Sequence, residues 1–292
     1  MAMAVLVAFL YALCYVGIQS GLALAPPLRF AGLRAAVGGL SVLAIAAASR
    51  RALVPPRRLW GGTAALALAG TTVGFAAMFL AAGRSPAGIA SVLGNTTPLL
   101  VIVAAAWLLR EPVTRSKATA LVLGFLGVGL IALGGAGAGT GGPAMLIPLV
   151  AASGTAGENL IVKRLDLRDA VLGVLAWQLL LGSLPLFALS LWLERSTQIE
   201  WGLPFAGLLA ILAVFGTAIA TSIWYALVQH DEVGRVTLFL FLVPVFGIFL
   251  AMSVFGERLG GMEIAGVLLT LGGIGWAMRD TVHRAPGGLT TP

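Results

Sequence analysis

Charge is sparse along this chain, and long apolar runs lie between the charged clusters: Met1–Leu28, Leu59–Gly83, Ser85–Leu109, Ala170–Leu193, Trp201–His230 and Val236–Gly256. About 20 residues of helix cross the hydrocarbon of a bilayer, so each run reads as one span. A further run, Ala118–Gly157, is too long for one and breaks at the turn sequence Gly134–Pro143. Two more segments, Leu28–Ser49 and Leu259–Arg279, carry charge near one end, where a long side chain can snorkel. The pattern predicts ten helices, at 2–23, 28–48, 59–82, 86–109, 116–136, 143–163, 170–193, 203–229, 233–255 and 260–279. The runs are continuously apolar, without the period-two alternation of a membrane β-barrel. Met1–Val7 lacks a basic stretch and the first run is long, so it reads as a retained helix despite the cleavage-like Ala23-Leu24-Ala25.

Composition agrees with the pattern. Of 292 residues 59% are hydrophobic and 10% charged, against about 25% charged in a soluble domain. That leaves too little solvated surface for a soluble enzyme, a nucleic-acid-binding domain or a disordered chain. The 39 glycines fit helices that approach closely in lipid. A lone Cys14 and two distant histidines, His230 and His283, leave no disulfide and no histidine-based metal site. No Gly-x-Ser-x-Gly, His-Glu-x-x-His or Walker pattern occurs; neither an enzyme nor a bound cofactor is expected.

The net charge of +7 follows from the loops. Counted in alternate loops, 13 of the 18 lysines and arginines fall on one side, beginning with Arg50, Arg51, Arg57 and Arg58. The other side holds Arg29, Arg34, Arg84, Arg195 and Arg258. The excess puts both termini in the cytoplasm, as an even number of spans allows. A bacterial inner membrane is the expected location, with lipid as surroundings, no nucleic-acid partner and a monomer sufficient.

Self-comparison gives one productive offset, 146. Gly88 then meets Gly234, Pro98 meets Pro244, Glu111 meets Glu257, Gly127 meets Gly273 and Gly129 meets Gly275. A proline and a glutamate shared at fixed register inside apolar sequence indicate a duplication: residues 1–140 and 141–281, followed by a disordered cytoplasmic tail at 282–292. Each half holds five helices, and an odd number inverts the second copy in the membrane. Inverted repeats are a signature of secondary transporters.

Two five-helix halves, each ending in a Pro-x12-Glu motif beside arginine and a glycine-rich last helix, resemble the drug/metabolite transporter superfamily. Leu93–Gly135 and Phe239–Gly275 are similar to its EamA-type repeat. Ala120 in place of the glycine at Gly266, and Arg110-Glu111-Pro112 in place of Gly256-Glu257-Arg258, are small departures. Length and aromatic content resemble the YddG-type exporters of aromatic amino acids. The resemblance implies a central cavity lined by helices one, three, four, six, eight and nine, export by alternating access, and an apolar or aromatic amino acid as substrate. Proton-coupled export of cationic drugs is the alternative within transport; a non-transporting membrane enzyme or scaffold is more distant.

Polar and aromatic residues on those helices are the candidate substrate contacts. Helix one presents Tyr11, Tyr15 and Gln19 on one stripe, and helix three Phe75, Met78 and Phe79. Helix four offers Ser91 and Asn95 on one face, helix eight Ser222, Trp224 and Tyr225, and helix nine Thr237. Aromatic rings can stack on a substrate and hold an ammonium by cation–π attraction. Pro98 and Pro244 remove a helical donor and are expected to free carbonyls near residues 94 and 240, as hinges at the cavity or as static kinks. Glu158 is the acid nearest a span's interior. Bridged to Lys163 or Arg164 it would be interfacial; with Asn159 it would receive a substrate ammonium or a proton. Arg34 and Gln178 are expected in peripheral helices, with Arg34 snorkelling to the outer interface.

Overall fold

A computed structural model describes residues 2–84, 94, 96–108, 110, 112–135, 146–230, 233–256, 260–262, 264–269, 272–273 and 276. Among them the chain is helical between short connections, with no strand. Its long helices are α1 (Ala2–Gly21), α2 (Pro27–Ala48), α3 (Arg57–Ala82), α4 (Thr97–Leu108), α5 (Arg115–Gly135), α6 (Leu146–Arg164), α7 (Arg168–Leu193), α8 (Leu203–His230) and α9 (Thr237–Phe255). Six of these, α1, α2, α3, α7, α8 and α9, are long and apolar enough to cross a membrane. The expected spans at 86–109 and 260–279 fall partly outside the described residues, and the expected tail at 282–292 lies entirely outside them.

The outer surface is apolar. Leu203, Trp107 and Leu191 are exposed, as are Leu184 and Phe249. A water-soluble surface seldom carries such a continuous apolar covering, whereas lipid requires it. This is a multi-pass membrane protein.

Inside, α2 lies along α7 and α1 along α9, while the middle of α3 packs on α6 and α7. Small residues set these distances. A Cβ on Gly154 of α6 would stand 2.6 Å from the Ala69 carbonyl oxygen of α3. One core cluster runs from Val7 and Leu66 through Leu175 to Val243. A second gathers around Phe30, whose ring meets Phe79 at 5.1 Å and Phe205 at 5.2 Å.

Two spans depart from α-helical winding. In α3 residues Ala67–Phe75 are π-helical, and in α8 residues Val214–Ile219 are. Adding 146 to the first segment gives 213–221, which encloses the second. Each carries a Gly-Thr pair, Gly70-Thr71 and Gly216-Thr217. π-Helical turns are rare and are frequently found at functional sites.

The connections sort to two ends. At one, Arg51 bridges Asp169, while Arg168 bridges Asp166 at 2.8 Å. At the other, the Glu194 carboxylate after α7 accepts the backbone N–H groups of Leu28 (2.8 Å) and Arg29 (3.0 Å). Those donors belong to the first turn of α2, which has no cap from its own flank, so a residue 166 positions away supplies it.

Candidate functional site

The two π-helical segments flank a central cavity of about 110 Å³, room for more than a single water. α1, α3, α4, α6, α8 and α9 all contribute to its lining, and α2 and α7 add Arg34 and Gln178. Among the expected residues Tyr11, Tyr15, Phe75, Met78, Glu158 and Trp224 face it. Tyr11 and Trp224 meet edge to face at 6.4 Å. The indole N–H of Trp224 donates to Asn159 Oδ1 at 2.7 Å, and Asn159 Nδ2 donates to the Thr155 carbonyl at 3.0 Å. Asn159 therefore does not face the cavity; it holds the ring that does.

Glu158 is the acid of the cavity. Its Oε1 accepts from Gln178 Nε2 at 2.7 Å and from the Tyr225 hydroxyl at 2.6 Å. Tyr225 is fully buried and also approaches Gln178 Oε1. Oε2 receives no hydrogen bond among the described residues. Gly70 opposite leaves the carboxylate its space: a Cβ there would lie 2.5 Å from the carboxyl carbon and from Oε2. The interfacial bridge to Lys163 or Arg164 does not form. Lys163 donates to the Val228 carbonyl at 3.2 Å and Arg164 to the Leu108 carbonyl at 2.9 Å.

Arg34 corrects the expectation of a snorkelling side chain. It is 3% exposed. Its Nε donates to Thr217 Oγ1 at 2.8 Å, and Nη2 reaches Cys14 Sγ at 3.1 Å and the Gly216 carbonyl at 3.3 Å. The guanidinium carbon stands 5.0 Å from the centroid of Phe75 and 5.9 Å from that of Phe79. Gln178, likewise expected at the periphery, is 1% exposed and spans Thr71 and Glu158. The two sites share one plan: a polar residue from α2 or α7 meets the threonine of a π-helical Gly-Thr pair and a side chain of α1 or α6.

Other expected residues stand elsewhere. Phe79 is buried against Phe30. Gln19 lies outside the lining, its Oε1 buried and, among the described residues, without a hydrogen-bond partner. Ser222 donates to the Ala218 carbonyl at 2.6 Å and borders a groove at the Arg51–Asp169 end. Thr237 is buried and donates to the Val233 carbonyl at 2.9 Å. Ser91 and Asn95 lie outside the described residues.

Pro98 is the second residue of α4, where a missing N–H removes no helical bond. The Gly94 carbonyl expected to be free accepts the Thr97 hydroxyl at 3.3 Å. Ahead of Pro244, Thr237–Phe241 tightens to a 3-10 helix whose Leu240 lines the cavity.

The residues missed by sequence reasoning are Arg34, Gln178, Cys14, Thr155 and Thr221, with Gly70 and Gly216 beside them. The signal that would have found part of this set is the 146-residue offset itself, which aligns Gly70-Thr71 with Gly216-Thr217.

Known proteins match most of the chain. A Bacillus subtilis (strain 168) protein named "Uncharacterized transporter YvbV" is 30% identical over 86% of this chain and 82% of its own length. A Salmonella typhimurium protein named "Probable amino-acid metabolite efflux pump" is 30% identical over 93% of this chain and 92% of its own. An Escherichia coli protein of the same name is 28% identical over the same shares. One crystal structure superposes with a TM-score of 0.75 at 20% identity, covering 98% of this chain and 99% of that one, so the two share a fold. The model of the EamA-like transporter family matches residues 1–133 and 143–279, and with that coverage the chain belongs to the EamA-like transporter family.

Proposed function

We propose that the protein exports small amphipathic metabolites, foremost amino acids with apolar or aromatic side chains, by alternating access around the central cavity. The carrying observation is the cavity's composition. A carboxylate with one unoccupied oxygen, Glu158 Oε2, stands in a lining that also holds Tyr11, Phe75 and Trp224. The oxygen receives the substrate ammonium and the rings receive its side chain. Two relatives named as probable amino-acid metabolite efflux pumps support this reading.

The same proposal includes ten spans in two inverted five-helix repeats, both termini in the cytoplasm and a bacterial inner membrane. Its supports are the two family segments in the two halves, the register of the π-helical segments and the basic excess on one side. Inverted halves supply two exchangeable conformations for one site. Pro98 and Pro244 are the proposed hinges.

The test is counterflow of phenylalanine and leucine in proteoliposomes. Glu158→Gln, which keeps the shape and removes the charge, is expected to slow flux about tenfold or more, the range of one lost charge-assisted bond. Wild-type flux in that variant overturns the reading. A second reading rests on the Tyr225 hydroxyl, whose single proton faces two oxygens, Glu158 Oε1 and Gln178 Oε1. A proton on Glu158 would complete that triangle, as proton-coupled export of cationic drugs requires. Flux of cationic dyes alone, strictly dependent on a pH gradient, would establish it instead.

A further inference from the structure

Arg34 has a donor to spare in the place where a buried guanidinium is least able to keep one idle. Among the described residues its Nη1 is buried and has no hydrogen-bond partner, while Nε and Nη2 are both engaged. Among the described residues no carboxylate lies within ion-pair distance of it. An uncompensated buried cation is strongly unfavourable, yet here it is held by three polar contacts and two ring faces in a residue that helps line the cavity. The planar fork of arginine matches a carboxylate, which it binds through two parallel bonds. The opposite charge within the same lining belongs to Glu158.

We infer that Arg34 is the receptor for the carboxylate of a zwitterionic substrate whose ammonium is held by Glu158. The inference rests on the export reading above and narrows it: the ligand must carry both charges, on a headgroup small enough for the cavity. Phe75 serves both parts, its ring supporting the guanidinium at 5.0 Å while the residue also lines the cavity. Thr217, Cys14 and the Gly216 carbonyl are positioning groups that fix the guanidinium plane. The arrangement also assigns a purpose to the two Gly-Thr pairs: one orients the cationic side chain from α2, the other the Gln178 amide that holds the acid.

The experiment measures counterflow by the full-length protein in proteoliposomes with three probes, phenylalanine, phenylalaninamide and phenethylamine. The amide and the amine keep the ring and the ammonium but lack the carboxylate. The wild type is expected to move phenylalanine at least tenfold faster than either. Arg34→Gln is expected to lose that preference, with phenylalanine flux falling about tenfold or more and amide flux staying within twofold. Arg34→Lys, which keeps the charge and loses the fork, should fall between. Equal wild-type handling of phenylalanine and its amide overturns the inference while leaving amino-acid export standing. So does an Arg34→Gln variant that slows both in the same proportion, because a merely structural guanidinium would act that way. Should Arg34→Gln fail to fold, the wild-type ratio decides alone. Movement of cationic dyes with none of the three probes would overturn the export reading, and this inference with it.

Discussion

Gly70 has no side chain because Glu158 occupies the space one would need. A methyl group there would stand 2.5 Å from the carboxyl carbon, closer than van der Waals contact allows. The carboxylate is the movable partner, so Gly70→Ala should displace it and leave the helices in place. The expected result is a flux of phenylalanine in proteoliposomes at least tenfold below wild type, with an unchanged melting temperature in detergent. An unaltered flux would remove Oε2 from transport. At this scale the sequence was informative wherever chemistry was rare. Glu158, Tyr11, Tyr15 and Trp224 stand out in apolar runs, and the structure brings all four to one cavity. Arg34 and Gln178 were misplaced for a physical reason. Snorkelling is the ordinary fate of an arginine near a helix end, and only the neighbouring helices decide otherwise. Position 146 residues on from Phe79 is Tyr225; the first ring lies 5.9 Å from a guanidinium and the second donates to a carboxylate. One register therefore serves both charges of the cavity with different chemistry.

Helices were legible as elements and mute about direction. Their apolar residues run round every face, so a period of 3.6 points nowhere, and neither the pairing of α2 with α7 nor the π-helical winding of α3 and α8 has a signature in that pattern. Hydrogen bonds between loops are similarly hidden. Nothing in the sequence singles out Glu194; in the structure it is buried and satisfies two orphan donors at the start of α2. An acceptor there also meets the positive end of the helix dipole. The arginine next to those donors ties the same junction, Arg29 reaching the Thr197 carbonyl at 3.0 Å and Ser190 Oγ at 3.2 Å. Glu194→Ala should therefore destabilise the protein by about 1–3 kcal/mol, the range for losing charge-assisted bonds to buried donors. The check is a lower melting temperature with phenylalanine flux retained below it. A melting temperature equal to wild type would mean that water replaces the carboxylate at this end of α2.

At the scale of the whole molecule, the proposed orientation can be read from the two ends of a single span. α7 begins at Arg168 and ends at Leu193, so Asp169 and Gln198 stand at opposite ends of one span, and both are exposed. Asp169 lies in the cluster with Arg51 and Arg168, on the side that the basic excess assigns to the cytoplasm. Gln198 lies beside the Arg29–Glu194 junction. Cys14 is 2% exposed, packed against Arg34 and the Gly216 carbonyl, so it adds little background to a thiol label that cannot cross membranes. In intact bacterial cells Gln198→Cys should take up such a label, while Asp169→Cys should do so only after the membrane is opened. The reversed pattern would turn the molecule over. It would also put the Arg51–Asp169 cluster against the positive-inside rule, so the direction of transport would have to be argued again from flux alone. Equal labelling of both would place Asp169 and Gln198 on one side and contradict α7 as a span.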